Sequence, residues 1–127
     1  MKNKFIYSLV IATVNRSVEL EKFLKSILLQ NFDLNKLEVI IVNQNKTSLI
    51  DKLLIKYKKL FPHFVVYKIN LIGVSNARNI GLKHARGDIL CFPDDDCEYF
   101  PDTLNVVKNI FDSDDQIEFL LGTITDK

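Results

Sequence analysis

Three carboxylates stand in a row at Asp94-Asp95-Asp96, close behind the apolar run Ile89-Leu90-Cys91-Phe92. Like charges at that spacing repel, and partial burial makes each one more costly. A divalent cation would remove the repulsion. Hard oxygen ligands without a His or Cys thiolate cluster suit Mg²⁺ or Mn²⁺ rather than Zn²⁺. In an extended segment alternate side chains point the same way, so Asp94 and Asp96 are expected to face one site and Asp95 another. Taken alone, the triplet is explained more simply as a solvated acidic turn capping the next helix.

A second group lies in residues 73–81, Gly-Val-Ser-Asn-Ala-Arg-Asn-Ile-Gly. Gly73 and Ser75 suit a turn and a helix N-cap, which puts Arg78 about one turn into the helix. Helix N-terminus and guanidinium could there address a phosphate or a carboxylate. The plain alternative is a helix start with a surface arginine. The G-x-G-x-x-G spacing of a dinucleotide fingerprint is absent, and the segment follows the third expected strand rather than the first. Two polar strand ends complete the set, Thr13-Val14-Asn15-Arg16 and Asn43-Gln44-Asn45. In isolation both read as loop chemistry, although the Gln44 amide offers donor and acceptor to the edge of a base. His63 and His84 have no ligand or catalytic spacing and suit surface or packing roles.

The elements that must position these residues alternate between short β-rich runs and helical stripes. Strands are expected over residues 5–12, 37–42, 64–69, 89–92 and 119–125. Leu20, Phe23, Leu24, Ile27 and Leu28 recur at helical spacing behind Ser17, a candidate N-cap. Ile50, Leu53, Leu54, Tyr57 and Phe61 form a second stripe, which Pro62 ends. Residues 74–85 make a short helix that Gly87 is placed to stop. Pro101 opens a last helix with Leu104, Val107 and Phe111 on one face. This order predicts an α/β fold: a mostly parallel sheet of about five strands with helices on both faces. Ligands of such sheets bind beyond the carboxyl ends of the strands, where all four polar segments fall.

The chain has 127 residues, enough for one domain with a sizeable core. Its net charge of +1, with acidic and basic residues interspersed, excludes the basic excess of a nucleic-acid binder. No apolar run approaches the ~20 residues needed to span a bilayer, and the N-terminus lacks a signal-peptide cleavage pattern. The two cysteines, Cys91 and Cys97, do not make a secreted framework. A cytoplasmic chain with free thiols is therefore expected.

Taken together and in order, the four polar segments resemble those of family 2 glycosyltransferases, which share the GT-A fold. Ala12-Thr13-Val14-Asn15-Arg16 matches that family's Pro-Thr-Tyr-Asn-Arg-like end of the first strand. Residues 73–81 match its Gly-Val-Ser-x-Ala-Arg-Asn-x-Gly segment in full, and Asp94-Asp95-Asp96 matches its Asp-rich metal motif. Val42-Asn43-Gln44-Asn45-Lys46 stands where the family has Val-Asp-Asp-Gly-Ser, so the acidic pair is replaced by amides. Val14 likewise stands where the family carries an aromatic that stacks on the base. The resemblance covers essentially the whole chain, as a Rossmann-like nucleotide-binding half, and overturns the simpler account of the triplet.

The resemblance implies a nucleotide-binding set of Ala12, Thr13, Val14, Asn15, Arg16, Gln44, Arg78 and Asp95. Ala12 to Asn15 would line the base pocket, Gln44 would read the base, Arg78 would approach the nucleotide and Asp95 the ribose. Asp96, supported by Asp94, would coordinate Mn²⁺ or Mg²⁺ on the diphosphate. It further implies a nucleotide-diphosphate sugar donor, an acceptor glycan or lipid-linked sugar, and work in cell-surface polysaccharide synthesis, in the cytoplasm or at the inner face of the membrane. The two departures leave the donor base open. No general base for the acceptor hydroxyl is found before Lys127, so the chain is expected to be the donor-binding part of a longer enzyme, with little transfer of its own. Apolar surface left uncovered would favour self-association. A non-catalytic nucleotide-binding or interaction module is the alternative. A nucleotidyltransferase fits less well, lacking an early Gly-rich phosphate loop.

Overall fold

In the computed structural model, residues 4–70, 72–123 and 125 are described. Four strands, β1 (Phe5–Thr13), β2 (Leu37–Asn43), β3 (Phe64–Lys68) and β4 (Gly87–Cys91), alternate with helices α1 (Val18–Leu28), α2 (Asp51–Leu60), α3 (Val74–His84) and α4 (Thr103–Ser113). A 3-10 turn, Leu34–Lys36, leads into β2. The sheet order is β3-β2-β1-β4 and every pairing is parallel.

Side-chain alternation along β1 divides the core into two layers. Tyr7, Leu9 and Ile11 face a cluster built with Leu20, Phe23, Leu24 and Ile27 of α1, Leu54 and Tyr57 of α2, and Leu104 of α4. Val10 and Ala12 face the other side, with Ile40, Val42 and Ala77 of α3. All seven residues of β2 are buried, as the unbroken apolar run predicts for a strand covered on both faces. Helices thus cover both faces, as expected.

One polar clasp interrupts this core at the amino ends of the strands. Glu38, on β2 and 3% exposed, accepts from Ser8 Oγ of β1 at 2.6 Å and from the Arg86 backbone N–H at 2.6 Å. Arg86 Nε lies 3.5 Å from its other oxygen, and the Gly87 N–H donates to Ser8 Oγ at 2.7 Å. Gly87 was expected to stop α3; it begins β4 instead, and α3 already ends at His84 with Ala85 extended. The reason is steric. A Cβ on Gly87 would stand 2.6 Å from the β1 backbone at Tyr7 and Ser8.

Other expectations shift in smaller ways. Ser17 occupies the N-cap of α1 without a side-chain capping bond. Gly73, not Ser75, holds the N-cap position of α3. Pro101 lies in a turn, and α4 starts at Thr103 behind Asp102. Among the described residues the sheet has four strands rather than about five. Of the expected strand over residues 119–125, residues 119–123 and 125 lie outside any strand, and residue 124 is outside the described residues. Residues 117–122 instead run along a cleft of about 950 Å³ beside Leu90, Cys91 and Phe92, with Phe119 and Leu121 exposed. Without ladder hydrogen bonds to β4, an apolar run of this kind has nothing to hold it as a strand.

Candidate functional site

The chain passes from β1 outward to β2 and β3, then returns to place β4 on the other side of β1. This reversal opens a crevice at the carboxyl ends of β1 and β4, the place where doubly wound sheets take ligands. Both principal polar segments lead off those two ends.

On the β1 side, Thr13 pairs with Asn43 of β2 in register, and the Gln44 backbone N–H donates to Thr13 O at 2.9 Å. The chain then enters the left-handed region at Asn15, φ 58, a conformation asparagine tolerates better than most residues. A relay of amides holds it there. Asn43 Oδ1 accepts from the Asn45 backbone N–H at 3.0 Å and from Asn45 Nδ2 at 2.9 Å, and Asn45 Oδ1 accepts from the Asn15 backbone N–H at 2.7 Å. Asn43, Gln44 and Asn45 are all buried. Gln44 Nε2 donates to Gly73 O at 3.0 Å, tying the end of β2 to the start of α3. The amides that replace an acidic pair are thus structural ties as well as candidate contacts.

On the β4 side, the expected alternation of the three aspartates does not hold, because the chain turns at Asp95 and Asp96. Asp95 and Asp96 converge on one guanidinium: Arg16 Nε lies 3.3 Å from Asp95 Oδ1, and Nη1 lies 3.2 Å from Asp96 Oδ2. Asp94 goes the other way, to Arg78 Nη2 at 3.8 Å. Arg78 also sits over the Phe92 ring, 5.7 Å from its centroid. Cys97 Sγ lies 3.1 Å from Asp94 O, closing the turn, and burial pushes its thiol up to about 11. Both cysteines are free thiols, as expected.

Burial dominates the electrostatics of Asp95, raising its carboxyl above the usual range. The Thr13 hydroxyl and the Arg16 guanidinium oppose that rise, and Asp96 adds to it. Thr13 Oγ1 is itself buried without a hydrogen bond of ordinary geometry, although it lies close enough to favour the Asp95 carboxylate. A buried hydroxyl left this way costs stability until something pairs with it.

The structure therefore brings Thr13, Asn15, Arg16, Gln44, Arg78, Asp94, Asp95 and Asp96 to one edge of the sheet. Ala12 is half-buried beneath it, packed on the α3 side, and Val14 is partly exposed at the rim. Among the described residues, no three His, Cys, Asp or Glu side chains gather to hold a metal ion unaided. The donor chemistry still fits Mg²⁺ or Mn²⁺, which bind through one or two carboxylates with substrate phosphates completing the shell. Sequence reasoning missed the Arg16 bridge and the Asn43–Asn45–Asn15 relay. The signal for the relay was a run of side-chain amides at a strand end, a common means of holding a left-handed turn.

The family model for glycosyl transferase family 2 matches residues 8–121. The chain belongs to that family. Among curated relatives, it is 31% identical over 107 residues to the "Minor teichoic acid biosynthesis protein GgaB" of Bacillus subtilis (strain 168), covering 84% of this chain and 12% of that protein. Among solved structures, S. aureus TarS 1-349 in complex with UDP-GlcNAc superposes with a TM-score of 0.75 at 24% identity, covering 89% of this chain and 32% of that one. The mannosyltransferase PcManGT from Pyrobaculum calidifontis, in complex with GDP-Man and Mn²⁺, superposes with a TM-score of 0.74 at 26% identity, over 85% and 32%. The family 2 chain thus spans about a third or less of these relatives.

Proposed function

We propose that this family 2 chain is a single donor-binding domain of a glycosyltransferase, holding a nucleotide-diphosphate sugar through Mn²⁺ or Mg²⁺. The observation that carries the reading is the meeting of Thr13, Arg16 and Arg78 with three aspartates at the switch point of the sheet. Asp96 would hold the cation, with Asp94, turned toward Arg78, in support; Asp95 would face the ribose, and Arg78 would approach the phosphates. Ala12, Thr13, Val14 and Asn15 would line the base pocket, with Gln44 at the base edge.

Transfer breaks the bond between the sugar and the diphosphate, leaving negative charge on the departing phosphate oxygen. A cation at Asp96 would offset that charge. The chain's own residues do the rest of what this half requires. The relay through Asn43 and Asn45 fixes the β1 end, the Gln44–Gly73 bond fixes the start of α3, and Arg78 brings a guanidinium to the same crevice. The relatives' names support a nucleotide-sugar donor, with UDP-GlcNAc in one and GDP-Man with Mn²⁺ in another. GgaB is named for minor teichoic acid biosynthesis; for this chain we take the acceptor to be a glycan or a lipid-linked sugar in cell-surface polysaccharide synthesis. Among the described residues no helix is long and apolar enough to cross a membrane. Work in the cytoplasm, at the inner face of the membrane, is part of the proposal and rests on the family resemblance alone.

Calorimetric titration with UDP-, GDP- and dTDP-sugars, with and without Mn²⁺, tests the reading. One of them is expected to bind in a Mn²⁺-dependent manner, and Asp96→Ala to remove that dependence. No heat with any donor, with or without metal, would refute it.

A further inference from the structure

Arg16 is placed with unusual care for an exposed arginine. The left-handed turn at Asn15 aims it across the crevice, and Asn45 Oδ1 holds that turn. Its guanidinium then spans two neighbouring carboxylates, at 3.3 Å from Asp95 Oδ1 and 3.2 Å from Asp96 Oδ2. The two aspartates differ. The Asp95 side chain is 13% exposed and that of Asp96 is 46% exposed. Beside them, the buried Thr13 hydroxyl leans on the Asp95 carboxylate without a hydrogen bond of ordinary geometry, so this oxygen-lined corner is loosely satisfied.

We propose that Arg16 is a resident counter-ion that shares Asp96 with the divalent cation in a mutually exclusive way. The cation alone then binds weakly, and a nucleoside diphosphate makes room for it by drawing the guanidinium onto its own phosphates. This rests on the nucleotide–cation reading above and extends it to the order in which the site fills. Charge decides the exchange. Three carboxylates against the guanidiniums of Arg16 and Arg78 leave one net negative charge. A divalent cation arriving while Arg16 stays would turn that balance positive, with two cations competing for one carboxylate. A diphosphate supplies the missing negative charge and a charge-assisted partner for the Nη1 end of the guanidinium, which leaves Asp96 while Nε stays on Asp95. The exchange falls on Asp96 because a pair this exposed is weakly held, whereas the better-buried Asp95 keeps its partner.

The test is calorimetric titration of the purified chain with MnCl₂ alone, with UDP or GDP alone, and with each nucleotide in saturating Mn²⁺, for wild type, Arg16→Gln and Arg16→Lys. Arg16→Gln is expected to bind Mn²⁺ alone about fivefold more tightly than wild type, the order set by losing the one exposed pair at Asp96. It should also lose most of the cooperativity between Mn²⁺ and nucleotide, with Arg16→Lys intermediate. Unchanged or weaker Mn²⁺ binding by Arg16→Gln, or undiminished cooperativity, overturns the counter-ion role while leaving the donor-binding reading intact. Failure of all three proteins to bind either nucleotide with Mn²⁺, together with no heat from any donor in the titration above, overturns both.

Discussion

Asn15 contributes backbone conformation more than side-chain chemistry. At φ 58 it pays a cost that a residue with a Cβ and no local amide feels in full, about 1–2 kcal/mol. Asn15→Gly is therefore expected to keep stability within about 0.5 kcal/mol of wild type, while Asn15→Ala loses about 1–2 kcal/mol. Urea unfolding of the pair measures it, and equal losses would show that the turn does not matter. The residue scale also shows what was legible in the sequence. The aspartate triplet and Arg78 announce themselves by type and position. The bridge from Arg16 does not, because it depends on one backbone dihedral and on an amide at the end of the neighbouring strand. Nothing local to Arg16 records that its partners lie 79 and 80 positions later.

At the scale of elements, α3 rides directly on β1. A Cβ on Gly81 would stand 2.1 Å from Val10 Cγ1, so the last glycine of the 73–81 segment serves close helix–strand contact rather than ligand contact. That contact sets the height of α3 above the sheet, and with it the position of Arg78 one turn from the helix start. Gly81→Ala is expected to cost about 1–2 kcal/mol after the gain in helix propensity is subtracted. Nucleotide affinity should weaken as Arg78 lifts away. Gly122→Ala, with nothing within 4 Å of its added Cβ, is the matched control and should change neither. Equal behaviour of the two variants in denaturant titration would disprove the packing account. Helical stripes and the buried β2 run were readable because periodicity reports burial directly. Gly87 was misread because a glycine before a strand and a glycine after a helix look identical until the neighbouring backbone is known.

For the whole molecule, β4 is the edge strand, and the main departure from expectation is that the described residues include no fifth strand. An apolar run at 119–121 looks like a strand by composition, but composition cannot say whether a ladder partner is reached. Phe119 is 77% and Leu121 89% exposed, beside the cleft along β4. Uncovered apolar surface of this kind favours association. Sedimentation velocity across a concentration series is expected to show reversible self-association, reduced in a Phe119→Asp, Leu121→Asp double variant. A wild-type monomer at every concentration would contradict this. The carboxylate clasp at the other end of the sheet has a consequence for the acid triplet. Sliding β4 one place along β1 would carry the aspartates ~3.3 Å and invert which face every side chain meets. Glu38 grips Ser8 and the Arg86 N–H together, and so pins the zero mark of that ruler from the opposite rim, far from any ligand.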